Sequence, residues 1–408
     1  MRTVFLESPY PEVRKQAYEA YLRVFKGEER IFAKAYRGEV ELSNEITKKR
    51  QYPSALETYL DREGVPRSFV DQLITTANNE LEPLHKYLAL RKEILGLSEL
   101  HPYDLTAPLV SAGNRRYTYD EAREIILAAL EPMGSEYIAK AAHALDPNNG
   151  WVDIFPNQRK RSGGFAANEQ RTHPFGSINF LGSADDVCTL AHEIAGHVLH
   201  AVSAEENQSA MTYKYAMVIA ETASTFNEHL VLDYLIRNAK NPLEKLSLLD
   251  ERAKFLSGTF YKQLLYTEFE IAAHEALQNG INLTAQYLNA TYLNLLKKYY
   301  GSAVSLTDLD GVSWMPVPHF YMNFYVWSYA GSVTASTEIA HQLKTEGTRA
   351  RDRYLELISL GNSRPPLEIF KVGGVDFSKE EAFLAVPRLL EKTTREMETI
   401  AREQGLIH

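Results

Sequence analysis

At 408 residues, with 45% hydrophobic and 24% charged residues, the chain has an ordinary globular composition and room for several lobes around one cleft. A formal net charge of −9 argues against a nucleic-acid backbone as partner. The single cysteine, Cys188, excludes an intramolecular disulfide framework. No run nears the roughly 18 apolar residues of a spanning helix, and Glu7 falls where a secretory leader needs an apolar core. The expectation is a cytoplasmic protein with neither membrane nor nucleic acid among its partners.

Residues 10–100 place apolar side chains at three- and four-residue spacing with charges between, which predicts successive amphipathic helices. His101-Pro102-Tyr103-Asp104 interrupts them, and a further helical run over 117–145 is entered through Asp120 and Glu121. Between 150 and 182 the chain turns rich in Gly, Asn and Pro, and the short apolar pieces WVDIF and SINF read as strands of a small sheet. Helical patterning then resumes to the end. The predicted fold is mainly α, a single unit over 1–408 made of a helical lobe (1–148), a small β-sheet region (149–183) and a second helical lobe (184–408).

The chemistry concentrates in Asp186-Val-Cys-Thr-Leu-Ala-His192-Glu193-Ile-Ala-Gly-His197-Val-Leu-His200. Two imidazoles on one helix with a carboxylate beside the first form a metallopeptidase signature. Two His nitrogens and a third ligand hold the ion, one position stays open for water, and the adjacent Glu193 moves the water's proton. The common form sets the two His four positions apart; here they are five apart, roughly 140° around a regular α-helix. A one-residue π-bulge at Ala195-Gly196 would restore a common face. Pairing Glu193 with His197, or His197 with His200, is the competing solution. Glu221, flanked by small residues in MVIAETASTFNEHL, is the candidate third ligand. Glu228, two turns on, is the candidate partner for a ligating His, with His200 a further neighbour. A satisfied core cluster of His and Glu with no ion is the plain alternative.

The chain resembles the oligoendopeptidase F branch of the thimet oligopeptidase and neurolysin group of zinc peptidases. The resemblance runs through YDL (103–105), KRSGGFA (160–166), HPFGSINFLGS (173–183), DVCTLAHE (186–193) and AETASTFNE (220–228). It continues through TEFE (267–270), KKYYGSAV (297–304) and PHFYMNFYVWSYA (318–330). It implies a zincin-like catalytic body with the sheet beside the metal helix, one Zn2+ on His192, His197 and Glu221, and Glu193 as general base. Short unfolded peptides are the implied substrates. The resemblance further implies that His319 and Tyr325 stabilise the developing oxyanion, with Tyr321 and Tyr329 as neighbours at four-residue spacing. The SINF strand, with Ser177 and Asn179, is implied to pair with an extended substrate by strand addition.

Two departures qualify the likeness. The family pattern is HExGH, so this chain carries one extra residue; an HExxGH spacing is similar to that of the dipeptidyl peptidase III group, whose other motifs are missing here. The chain also starts where the family's N-terminal helical lobe ends, which leaves a cleft that a homodimer could close. SWMPVPH (313–319) lacks the Glu and Arg expected around Trp314. A repurposed scaffold that binds metal or peptide without hydrolysis, or runs other metal chemistry, is therefore the second hypothesis. His₂Glu sites accept several divalent ions.

Overall fold

The computed structural model of the protein describes residues 5–110, 115–161 and 163–408. Amphipathic patterning becomes helix throughout the first part: α1 (Pro11–Gly27), α2 (Glu29–Lys49), α3 (Ala55–Glu63), α4 (Arg67–Asn79) and α5 (Glu82–Ile94). Local chemistry sets their ends. The Ser54 hydroxyl accepts from the Glu57 amide at 3.2 Å to open α3, and Gly64, at φ 68°, closes it. The interruption at 101–104 is a 3₁₀ turn whose buried Asp104 receives the Arg14 guanidinium at 2.6 and 3.0 Å, pinning α1 to the body. The acidic entry to the next run is a capping box, with Thr118 and Glu121 exchanging hydrogen bonds at the start of α6 (Tyr119–Ala129). α7 (Ser135–Ala144) follows.

The Gly- and Asn-rich stretch forms a three-stranded sheet: β1 (Val152–Asp153), β2 (Phe165–Ala167) and β3 (Phe175–Ser177), in the order β1-β3-β2. β3 runs parallel to β1 and antiparallel to β2, with Ser177 opposite Asp153 on one side and Phe165 on the other. Both flanks of the strand that starts the SINF piece are thus already paired, and the edges are β1 and β2. At Ser177 this leaves no free flank for strand addition, whereas Ile178, Asn179 and Phe180 of the SINF piece lie beyond β3. Ser162 of the KRSGGFA motif lies outside the described residues.

The helical remainder comprises α8 (Ala184–Leu190), a π-helical segment (Ala191–Val198), α9 (Leu199–Asn207), α10 (Met217–Arg237) and α11 (Pro242–Leu256). α12 (Lys262–Gln278), α13 (Ala285–Tyr300), α14 (Trp327–Glu346), α15 (Thr348–Ser359), α16 (Pro366–Val372), α17 (Glu380–Phe383) and α18 (Ala385–Glu403) complete it. α10 is buried on nearly every face and packs against both α14 and the π segment. Small residues make that closeness feasible, and their hydroxyls are satisfied: Ser332 donates to the Val218 carbonyl at 2.7 Å, and Thr225 to Ser336 at 2.8 Å. One continuous apolar core extends from Leu22 to Ile407. The fold class is the mainly α body with one small sheet that the sequence patterning predicts.

Candidate metal centre

The five-residue His spacing is accommodated by widening the helix. Across Ala191–Val198 the chain is π-helical, and at its end the Leu199 amide bonds back to the Ile194 carbonyl, five residues earlier. This hydrogen bonding returns residues five apart to one face, and the His192 and His197 rings lie 4.9 Å apart. The widening covers eight residues rather than only Ala195-Gly196, because one inserted residue lengthens every hydrogen-bonded ring that spans it. Gly196 has a second use. A Cβ there would sit 2.4 Å from Ser224 Cα, so only glycine lets α10 come this close.

That approach delivers Glu221. Its Oε2 lies 3.3 Å from His192 Nε2 and 3.5 Å from His197 Nε2, and Ser224 donates to the same oxygen at 2.9 Å. Glu228, on the same helix, meets His192 Nδ1 at 2.7 Å, which fixes that ring and leaves Nε2 facing Glu221. Burial by itself would lower the His192 pKa, but hydrogen bonds donated to Glu221 and Glu228 hold it well above the usual value. Burial likewise pushes Glu221 upward, and the His197 and His192 imidazoles overcome it and hold the carboxyl well below its ordinary range. Burial raises Glu193 and Glu228.

Glu193 is buried, and its Oε2 has no hydrogen-bond partner. Its other oxygen faces Gly164, where a Cβ would lie 2.7 Å away. The glycine pair 163–164 ahead of β2 therefore lets the sheet edge touch the carboxylate, a contact that sequence reasoning missed and that only the adjacent glycines signalled. Asn179 donates to the Arg161 and Gly163 carbonyls, each at 2.8 Å. Its amide thus ties Arg161 and Gly163 to the end of β3, and Ser177 lies in the central strand.

From the C-terminal segment, His319, Tyr325 and Tyr329 form an aromatic group: His319 lies 5.9 Å from Tyr325 and 6.1 Å from Tyr329, and the two tyrosine hydroxyls are 3.3 Å apart. Burial lowers the His319 pKa and pushes Tyr325 up to about 12, with Glu221 acting on both, which sets the group beside the cluster. Tyr321 does not join it. Asn323 and Phe324 take positive φ values of 35° and 54°, so the spacing from 321 to 325 is not helical, and Tyr321 is left exposed against Tyr36. His200 is corrected too. It is fully buried and stacked on Tyr215 at 3.6 Å, with both ring nitrogens unpartnered and its pKa lowered by burial to about 3. It behaves as a neutral core ring rather than a partner of His197.

His192, His197 and Glu221 each offer one ligand atom, all within 4.8 Å of one another. Tetrahedral coordination at ~2.0–2.1 Å bond lengths separates ligand atoms by about 3.4 Å, close to the 3.3 and 3.5 Å found from Glu221 to the two rings. The donors fit a divalent ion, and the unpartnered Glu193 oxygen fits a polar neighbour beside it.

A mainly helical, zincin-like body with two His on a widened helix and a Glu on the helix packed against it is the class that fold and site define. The chain belongs to peptidase family M3, whose sequence profile matches residues 4–388. It is 34% identical to oligopeptidase PepF of Bacillus subtilis over 396 residues, covering 97% of this chain and 59% of that protein. It is 33% identical to the plasmid oligoendopeptidase F of Lactococcus lactis subsp. cremoris over 401 residues, covering 98% and 66%. The crystal structure of oligoendopeptidase-F from Enterococcus faecium superposes with a TM-score of 0.77 at 28% identity, over 98% of this chain and 66% of that one. The chain thus spans about three fifths to two thirds of the length of the curated relatives it matches.

Proposed function

We propose that the protein is a zinc-dependent endopeptidase acting on short unfolded peptides, with His192, His197 and Glu221 as metal ligands and Glu193 as general base. The observation that carries this reading is the donor triad with an unpartnered, buried carboxylate immediately beside it. Names of family relatives support the substrate class. A zinc ion held by the triad would supply Lewis acidity to a water and a carbonyl.

The chain's own residues supply the rest. Glu228, meeting His192 Nδ1, would accept that nitrogen's proton in a hydrogen bond and leave Nε2 as the atom offered to an ion. Glu193, its basicity raised by burial, takes the proton of the attacking water and passes it to the leaving amine. An extended peptide laid along β2 would run past Gly164 and bring its scissile bond to Glu193. His319 and Tyr325 would donate to the oxyanion as charge develops.

Glu193→Gln tests the assignment. Hydrolysis of quenched fluorogenic peptides should fall by a factor of about 10²–10⁴ while one equivalent of zinc stays bound. An unchanged rate would remove Glu193 from the mechanism. Zinc at one equivalent with no cleavage by the unmodified protein would favour a scaffold that binds metal without hydrolysis.

A further inference from the structure

We propose that Tyr137 is a positioning residue that locks the widened turn of the metal helix, so that His197 stays in register with His192 and Glu221. The inference rests on the metal reading above and goes beyond it, since it assigns a role to a residue distant in sequence from every proposed ligand.

A π-helical turn is rare and holds its shape only where surroundings compensate it, and a buried carbonyl must find a donor. The Ala195 carbonyl lies between the base and the second ligand, and Tyr137, reaching over from α7, donates to it at 2.8 Å. Tyr137 is 5% exposed, so water does not compete. Its hydroxyl in turn accepts from Asn227 Nδ2 at 3.2 Å. The same Asn227 amide bonds the Ala223 carbonyl at 2.8 Å and reaches the Tyr354 hydroxyl at 3.4 Å. Asn227 sits on α10 between Glu221 and Glu228. One buried network therefore joins α7, the widened turn, the helix of the third ligand, and α15. Burial pushes the Tyr137 pKa up to about 12, so the phenol remains a donor across the working range.

The test uses Tyr137→Phe, which removes the hydroxyl and keeps the ring. Zinc affinity is measured by chelator competition. Amide hydrogen exchange over 191–198 is measured in chelator-treated protein, a readout independent of catalysis and of the ion. The expected result is a tenfold or greater loss of zinc affinity and faster exchange in 191–198, with the far-ultraviolet circular dichroism unchanged. The same substitution is then placed in a chain lacking Ala195, where four-residue spacing suits a regular helix; there the affinity should change less than twofold. Should the shortened chain not fold, Tyr354→Phe replaces it as control. It trims the same network without touching the Ala195 carbonyl and should leave affinity within twofold. The proposal is overturned if Tyr137→Phe keeps both wild-type affinity and exchange, or if the control loses affinity equally. A wild-type chain that takes up no zinc would instead sink the metal reading, and the exchange data would still decide whether Tyr137 holds the turn.

Discussion

Gly196→Ala is the smallest perturbation that should separate the two halves of the donor set. The added methyl would lie 2.4 Å from Ser224 Cα, 2.9 Å from its amide nitrogen and 3.0 Å from its Cβ. Carbon atoms in ordinary contact sit about 3.5–4.0 Å apart, so the π segment and α10 must separate by roughly 1 Å. Neither neighbour can yield by a side-chain rotation, because two of the three clashing atoms are backbone. Overpacking of this kind costs about 1–3 kcal/mol, which for a chain of this length lowers Tm by only about 1–4 °C. The functional loss should be larger. Metal sites tolerate about 0.2 Å in ligand distance, and Glu221 rides on α10. Zinc affinity should fall at least tenfold, a loss readable by chelator competition beside a thermal melt. A variant with normal zinc affinity and Tm would refute the claim that helix contact at this glycine sets the Glu221 position.

Glu228→Gln should weaken zinc binding by about 10–100-fold, because the amide no longer carries the charge that fixes His192 at 2.7 Å; equal affinity in a competition titration would argue otherwise. Tyr325→Phe should lower kcat by about 10²–10³ with zinc content unaltered, and a change confined to KM would reassign the residue to ground-state binding. Glu270 gives a pH prediction: it is fully buried, accepts from the Phe324 amide at 2.7 Å, and burial pushes its carboxyl up to about 8. Because the folded value lies above the unfolded one, its stability contribution is complete below about pH 4 and is lost as pH rises through 8, at about 1.4 kcal/mol per unit. Glu270→Gln should therefore melt with a shallower decline than wild type between pH 5 and 9, and parallel profiles would sink the idea.

Much of the site was legible because it is compact in sequence. Counting positions from His192 to His197 favoured a widened helix over pairing Glu193 or His200 with His197, and two turns from Glu221 reached Glu228. What escaped were features set by tertiary neighbours. Strand order is not written in local sequence, so the central place of β3, which ends at Ser177 where SINF begins, was hidden. Tyr321 was placed by carrying helical spacing through residues 323–324, whose left-handed backbone carries no glycine to announce it. Tyr137 lies 58 residues from its carbonyl partner, and a lone tyrosine on an amphipathic helix looks like core. His200, three positions past the proposed ligand His197, looked like a partner, but an aromatic face claims it.

The proposed ligands and the carboxylate behind His192 fall within a hairpin of helices; His192 and Glu228 are only 36 positions apart. The aromatic group opposite them arrives with residues 319–329, from a part of the chain that closes a much longer loop. Closing the short loop costs less entropy than closing the long one, so the ion-binding half is placed to assemble first during folding, with the aromatic wall docking onto a finished site. Zinc added early in refolding should then be captured before His319 and Tyr325 become protected, an order that stopped-flow metal uptake beside pulsed hydrogen exchange would read directly. Capture only after that protection would mean that the two halves close as one.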